Sequence, residues 1–222
     1  TGCFIHGNLL NLPFAKKQIS QSEIEFTYSA KKGEYLGFPH DFTVRRHYKL
    51  CENGLEEYTT VINDGVCEMP VMLAYHTTVN LDFCGDMQNV KLQVPVTQEY
   101  LRDKNFLPTG ETAYGRPRDL ALANGEFVPA KQPFSAFYKA NDKTVALFKG
   151  AGASVYYEAE SIFGYRMLYR GDGYGFAVGE PQTCVIDCFH FEQKPEELGL
   201  IVLSGGESKT FYTRICIEKN DN

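Results

Sequence analysis

Residues 41–64 read DFTVRRHYKLCENGLEEYTTVIND, two runs of alternating polar and apolar residues on either side of an Asn-Gly pair. Such alternation is typical of β-strands, because successive side chains point to opposite faces of a sheet. Asn53-Gly54 is a turn signal, so the stretch predicts a β-hairpin. This segment therefore favours an antiparallel sheet.

The same alternation recurs along the chain, with turn-forming residues between the runs. Further strand-like runs are VMLAYHTTVNL, KTVALFKG, SVYYEAE and GLIVLSGGESKTFYTRICIEK. TQEYLRDK, from Thr97, is the one stretch with a reasonable helical pattern. No repeat, low-complexity linker or shift in composition marks a second domain. We therefore expect an all-β protein, a large antiparallel β-sandwich that forms a single domain over residues 1–222.

Composition and charge argue against two classes of partner. With 222 residues, 43% hydrophobic and 23% charged, the chain has the composition of an ordinary globular protein. No run approaches the roughly 18 apolar residues of a membrane span. The formal net charge of −6 gives no electrostatic attraction to nucleic acid or to anionic lipid. Neither nucleic acid nor a membrane is expected as a partner.

The seven cysteines are scattered and include no C-x-x-C pair. This usage is typical of reduced core residues rather than of a disulfide framework or a zinc site. It favours a cytoplasmic setting.

Residues 70–81, PVMLAYHTTVNL, place His76 in a hydrophobic, strand-like run. In a strand, His76 shares a face with Thr78 and Asn80, and this increasingly polar face is suited to line a cleft. A core histidine that is hydrogen-bonded to its neighbours explains the same residues. Both interpretations of His76 remain open from this segment alone.

Two further segments carry candidate polar groups. YGFAVGEPQT, residues 174–183, delivers Glu180 at a strand end before Pro181, where it is well placed to face a pocket. A solvated surface glutamate is the alternative. In FIHGN, residues 4–8, His6 precedes Gly7, whose missing side chain allows close approach of a ligand. A turn glycine beside a surface histidine explains the same letters.

Several common motifs are absent from the sequence. No two histidines have the close spacing of a compact metal motif, and there is no G-x-S-x-G elbow, Walker loop or strand-associated G-x-G-x-x-G. The glycine-rich stretch GDGYGFAVG, residues 171–179, has no helix after it and predicts a hairpin instead of a phosphate site.

Taken in chain order, six segments resemble the aldose 1-epimerase (mutarotase) superfamily, which interconverts the α and β anomers of sugars. The first looks like its His-Gly segment, the third like its Thr-Asn-His-x-Tyr-Phe-Asn-Leu strand, and the fifth like the strand with its catalytic glutamate. The last is similar to its closing hairpin. The six segments are FIHGNLLNLPFA, GFPHDFTVRRHYKL, MPVMLAYHTTVNL, FLPTGETAYGRPRDL, FAVGEPQT and GLIVLSGGESKTFYTRICI.

The first segment is closest to a less characterised branch of that superfamily. The resemblance implies a large antiparallel β-sandwich with a sugar cleft on a concave sheet face. It also implies that His76 is the general acid, Glu180 the general base, and His6 a second histidine that binds the sugar. The family's binding aspartate has its counterpart in NGEFVP, where Asn124 stands at that position and Glu126 is the alternative.

The implied substrate is a small free sugar or sugar derivative. Its identity is not fixed, because Thr77, Thr78 and Val79 replace the family's aromatic pair after the histidine. One acid and one base suffice for anomer exchange, so no metal or other cofactor is required. Roughly the first quarter of the family fold has no counterpart here, so we expect N-terminal strands to be missing.

Two other functions remain open. The chain can be a non-catalytic carbohydrate-binding β-sandwich, in which His6, His76 and Glu180 only hydrogen-bond a ligand. It can also be a structural or interaction fragment whose pocket is incomplete. The oligomeric state does not follow from the sequence.

Overall fold

The computed structural model describes residues 6–7, 9–35, 37–140 and 142–220. These residues form mainly antiparallel strands, which confirms the all-β prediction. The strands are β1 (Ala15–Gln18), β2 (Glu23–Ala30), β3 (Phe42–Cys51), β4 (Gly54–Asn63), β5 (Met69–Val71), β6 (Thr78–Asn80), β7 (Lys91–Gln93), β8 (Val96–Arg102), β9 (Pro108–Ala113), β10 (Phe134–Ala140), β11 (Thr144–Lys149), β12 (Ala153–Ala159), β13 (Tyr165–Arg170), β14 (Phe176–Gln182), β15 (Ile201–Leu203) and β16 (Ser208–Lys219).

The chain divides into two compact units. Unit 1 comprises Thr1–Val71 and Ile201–Thr213, and unit 2 comprises Met72–Leu200 and Arg214–Asn222. A single domain over residues 1–222 remains a prediction.

In unit 1, strands β1 to β4 pair in chain order as antiparallel neighbours. The register of β3 and β4 runs from Phe42 opposite Asn63 to Cys51 opposite Gly54, which confirms the hairpin predicted for residues 41–64. The first half of β16 lies beside β4, where the hydroxyls of Thr60 and Thr210 are 2.8 Å apart. This unit is a meander of hydrogen-bonded strands.

The two strands of residues 199–219 form as expected, but they do not pair with each other. Strand β15 pairs with β5, whereas β16 lies beside β4. The prediction that these two strands form a closing hairpin is therefore wrong. The fully buried side chain of Asn63 donates hydrogen bonds to the carbonyls of Leu203 (2.9 Å) and Ser204 (3.0 Å). These bonds satisfy two backbone carbonyls at the point where the chain leaves β15.

Unit 2 is a two-layer sandwich, as predicted. One layer is the six-stranded antiparallel sheet β6-β14-β13-β10-β8-β9, and the other contains the second half of β16 with β12, β11 and β7. Apolar side chains from both layers fill the space between them, as expected for packed sheets. Members of this core include Leu168 and Ala177 from the first layer and Ala146 and Phe148 from the second.

The helix predicted from Thr97 is wrong, because that stretch forms β8. Its alternate residues face opposite sides, with Tyr100 in one apolar cluster and Glu99 bonded to Arg118. The helix of unit 2 is instead α1 (Pro117–Asn124), which has proline in its first turn and Gly125 in a left-handed conformation after its end. Both are standard helix boundary signals. No helix among the described residues is long and apolar enough to cross a membrane.

The outer face of the six-stranded sheet is only partly covered. Residues 183–200, which follow β14, pack on this face against Tyr100, Phe137 and Tyr165. Met167 lies beside this cluster and remains partly exposed. Ser135 of β10 and Tyr169 of β13, on the same face, are partly exposed as well.

A buried carboxylate holds α1 against the sheet. Asp119 is fully buried and accepts hydrogen bonds from the Tyr138 hydroxyl (2.7 Å) and from the backbone N–H of Arg116 (3.1 Å). Burial acts to raise the pKa of Asp119, but the bonds from Tyr138 and Arg116 outweigh it, and the pKa is lowered. The ionised carboxylate therefore stabilises the fold above its unfolded-state pKa, and this stabilisation is lost as the pH falls through the folded-state pKa.

We expect Asp119→Ala to lower the free energy of unfolding at pH 7 by about 2–4 kcal/mol, because a buried hydroxyl and a helix terminus lose their acceptor. Urea denaturation monitored by circular dichroism measures this loss. Asp172→Ala, in the exposed turn between β13 and β14, is the matched control and should change stability by less than about 0.5 kcal/mol. Between pH 7 and pH 3 the wild type should lose more stability than Asp119→Ala. Equal acid sensitivity of the two proteins would contradict the role of Asp119.

Candidate functional site

Strand β14 positions Glu180 on the outer face of the six-stranded sheet. The preceding residue, Gly179, faces the core, where an added Cβ atom would lie 3.1 Å from the Cβ of Ala146. Because alternate residues point to opposite faces, Glu180 projects away from the core. It stands opposite Met167 of β13 in the antiparallel ladder, and this β13–β14 pairing confirms the hairpin predicted for residues 171–179.

His76 lies beside β14 but outside any regular strand. The run of residues 70–81 contributes β5 and β6 at its two ends, and the chain between them follows β14 through separate backbone bonds. The Tyr75 N–H donates to the carbonyl of Pro181 (3.3 Å), and the Gly179 N–H donates to the carbonyl of Thr77 (3.2 Å). The backbone on both sides of His76 is thus tied to the strand that carries Glu180.

The neighbours of His76 point inward. Tyr75 is buried against Phe163, with ring centroids 5.6 Å apart, and the Thr77 hydroxyl donates to the buried Tyr157 hydroxyl at 2.9 Å. The His76 side chain is therefore directed outward and is 49% exposed.

The structure brings His76 and Glu180 into contact. The His76 Nε2 atom is 3.3 Å from the Glu180 Oε1 atom, so the two form an ion pair when the imidazole is protonated. The Glu180 side chain is only 9% exposed, and its other oxygen, Oε2, accepts a hydrogen bond from the Gln182 amide at 3.2 Å. Each carboxylate oxygen thus has one polar neighbour.

Burial raises the pKa of Glu180 above its usual value, while the charge of His76 and the hydrogen bond from Gln182 act in the opposite direction. A carboxylate with a raised pKa is a stronger base than an exposed one. A buried base in contact with a half-exposed imidazole is an arrangement suited to moving two protons in opposite directions.

Two polar residues on this face of the sheet were not singled out by the sequence analysis. Gln182 lies two positions after Glu180 on the same strand, so the period of two could have placed it on the same face. Arg102 reaches this face from β8, where its guanidinium donates to the Ser135 hydroxyl at 2.9 Å. Nothing in the local sequence of Arg102 indicates this position, because β8 was expected to be helical.

The structure describes the three other residues that are predicted to bind the sugar. His6 is exposed, has a φ of 66°, and belongs to unit 1. Asn124 is the last residue of α1, and Glu126 follows Gly125; both are exposed. Among the described residues, neither Asn124 nor Glu126 hydrogen-bonds or ion-pairs with His76 or Glu180. The binding roles of His6, Asn124 and Glu126 stay predictions.

Within the described ranges, the potential metal ligands form no metal site and the cysteines no disulfide. No group of three or more His, Cys, Asp and Glu side chains in the described ranges is arranged to hold a metal ion. The six described cysteines are free thiols, and Cys3 lies outside the described residues.

Several solved structures are similar to this chain. A galactose mutarotase-like protein from Clostridium acetobutylicum is 26% identical, with a TM-score of 0.83 over 93% of this chain and 66% of its own. A galactose mutarotase-like protein from Lactobacillus casei is 21% identical, with a TM-score of 0.69 over 92% of this chain and 73% of its own. Galactose 1-epimerase from Lactobacillus acidophilus is 13% identical, with a TM-score of 0.70 over 94% of this chain and 67% of its own.

The chain thus spans about two thirds of the length of the Clostridium protein. The family model described as aldose 1-epimerase matches residues 4–216, nearly the whole sequence. On that match, this chain belongs to the aldose 1-epimerase family.

Proposed function

We propose that this chain is a mutarotase-like isomerase that interconverts the α and β anomers of a free sugar or sugar derivative. Glu180 is the general base and His76 the general acid. The observation that carries the proposal is the 3.3 Å contact between His76 Nε2 and Glu180 Oε1 on the outer face of the sheet. Membership of the aldose 1-epimerase family supports the reaction class.

The reaction needs an acid and a base that are close neighbours. A proton leaves the C1 hydroxyl while another reaches the ring oxygen, and both of these oxygens are bonded to C1. The bond between C1 and the ring oxygen then breaks, the aldehyde rotates about its bond to C2, and the ring closes on the other face. The acid and the base exchange roles during closure, and each contributes about 10²–10⁴-fold to the rate.

The surroundings of the two groups support the assignment of their roles. Glu180 is buried and held by Gln182, and its pKa is raised, so its carboxylate is a fixed base of increased proton affinity. His76 is half-exposed, so its ring has room to turn from Glu180 toward a ring oxygen. Protons alone are exchanged in this scheme, which requires no metal or redox cofactor.

We further propose that the chain acts in carbohydrate metabolism in the cytoplasm. The support for this location is the cysteine usage, because buried thiols such as Cys184 and Cys188 are typical of a reducing compartment.

We expect the wild type to accelerate anomer exchange of at least one hexose above the buffer rate, and His76→Ala and Glu180→Gln each to lower kcat/KM by about 10²–10⁴-fold. Saturation-transfer NMR with a panel of hexoses measures the exchange directly. His190→Ala is the matched control, because it removes an exposed imidazole paired with Asp187 outside the proposed site.

The same panel separates catalysis from binding. A wild type that binds a sugar yet exchanges its anomers no faster than buffer would support the non-catalytic alternative. A loss of equal size in His190→Ala would show that the effect is not specific to the pair.

The acid limb of the pH profile should move to higher pH in Gln182→Leu. The amide of Gln182 donates to the ionised carboxylate and so lowers the pKa of Glu180; its removal leaves burial less opposed and raises that pKa further. The variant should therefore lose activity at a higher pH than the wild type as the solution is acidified. Profiles of kcat/KM against pH for both proteins measure the shift.

Gln98→Leu is the control for this shift. Gln98 donates to the Thr112 hydroxyl at 2.7 Å on the same sheet but does not contact Glu180. An acid limb that stays in place in Gln182→Leu, or moves to lower pH, would argue against Glu180 as the base.

A further inference from the structure

Arg102 extends across the outer face of the six-stranded sheet toward Glu180. Its Nη2 atom donates to the Ser135 hydroxyl of β10 at 2.9 Å, and its Nη1 atom lies 3.5 Å from the Met167 sulfur of β13. Met167 stands directly opposite Glu180 in the ladder. The guanidinium therefore lies over the strand next to β14, about one inter-strand spacing of roughly 4.8 Å from the strand that carries the proposed base.

No carboxylate neutralises this cation among the described residues. Its contacts are a neutral hydroxyl, a thioether and the ring of Phe106, whose centroid is 5.7 Å from the Arg102 Cζ atom. Two other arginines of unit 2, Arg116 and Arg118, both form ion pairs with Glu99. Burial lowers the pKa of Arg102, and the charge of Arg118 acts in the same direction.

A partly buried guanidinium favours a ligand that carries negative charge. It remains protonated, and its planar fork of N–H donors matches a carboxylate or a phosphate. Its two hydrogen bonds to described residues leave most of its five donors available. An anionic group that bound here would recover interaction energy lost on burial of the cation.

The face of the sheet between Arg102 and Glu180 is partly exposed. The segment after β14 covers Tyr100, Phe137 and Tyr165, as described above, whereas other residues of the same face remain partly exposed. These partly exposed residues are Arg102, Ser135, Met167 and Tyr169. A pyranose ring with C1 at His76 and Glu180 would extend over Met167. A substituent on the far side of the ring would then point toward Arg102.

We propose that Arg102 is a specificity-determining residue that binds the anionic group of a sugar substrate, a carboxylate or a phosphate, while C1 lies between His76 and Glu180. This inference rests on the proposed function, because it assumes that the pair holds the anomeric centre. It narrows the substrate from any free sugar to a sugar acid or a sugar phosphate.

A matched set of three sugars tests the proposal: glucose, glucuronate and glucose 6-phosphate. The wild type should exchange the anomers of one of the two anionic sugars with a kcat/KM at least about tenfold above that for glucose. The sugar that is favoured identifies the anionic group. In Arg102→Gln, the ratio of kcat/KM for that sugar to kcat/KM for glucose should fall by about 10- to 100-fold.

Two further variants show whether the effect belongs to Arg102. Arg102→Lys keeps the charge but loses the planar fork, so its ratio should lie between those of the wild type and Arg102→Gln. Lys139→Gln removes a charge from an exposed position on the same face and should keep the wild-type ratio. An equal fall of the ratio in Lys139→Gln would indicate a diffuse charge effect and overturn the proposal.

The outcomes separate this inference from the proposed function. Exchange of glucose with no preference for either anionic sugar overturns the role of Arg102 and leaves the mutarotase proposal in place. Exchange of none of the three sugars counts against mutarotation, and calorimetric binding then decides: glucuronate or glucose 6-phosphate should bind the wild type at least about tenfold more tightly than Arg102→Gln. Equal affinities would overturn the inference.

If Arg102→Gln does not fold, as shown by circular dichroism, the wild-type preference and the Arg102→Lys ratio decide in the same way.

Discussion

The alternation of side chains in β14 is the constraint on which the candidate site depends. Gly179 faces the core, where an added Cβ atom would lie 3.1 Å from the Cβ of Ala146, and the next residue, Glu180, faces the opposite side. The same strand accepts and donates the two backbone hydrogen bonds that flank His76. The relative position of His76 and Glu180, the proposed acid and base, is therefore set by backbone pairing, whereas the half-exposed imidazole ring has room to turn.

Two buried carboxylates of unit 2 show how the surroundings decide between structural and chemical roles. Asp119 accepts hydrogen bonds from Tyr138 and Arg116, and these outweigh the effect of burial and lower its pKa. Glu180 is buried with fewer compensating partners, and its pKa is raised. Asp119 accepts enough hydrogen bonds to stay ionised and to anchor α1. Glu180 accepts fewer, so burial dominates and its carboxylate has an increased affinity for a proton. The difference lies in the number of donors and not in the residue type.

Local patterns in the sequence were sufficient for strands such as β3, β4, β11 and β12 and for two hairpins, since alternation and turn residues are short-range signals. They did not single out β1, β2, β9 or β10. They failed at β8, where the buried Glu99 pairs with Arg118 from a helix later in the chain. They also failed for β15 and β16, which pair with different strands, β5 and β4, from much earlier in the chain. The contact of His76 with Glu180 joins residues far apart in sequence; alternation predicts a face for each, but only the pairing of distant segments makes them neighbours.

The overall charge of the chain and the environment of Arg102 affect ligands of different size. A net charge of −6 argues against extended polyanions, whose binding requires many cations spread over a surface. A single carboxylate or phosphate needs only one well-placed guanidinium, and partial burial strengthens that interaction because the local dielectric constant is lower than in water. An acidic protein in which Arg102 has no ion pair among the described residues is therefore consistent with a small anionic ligand.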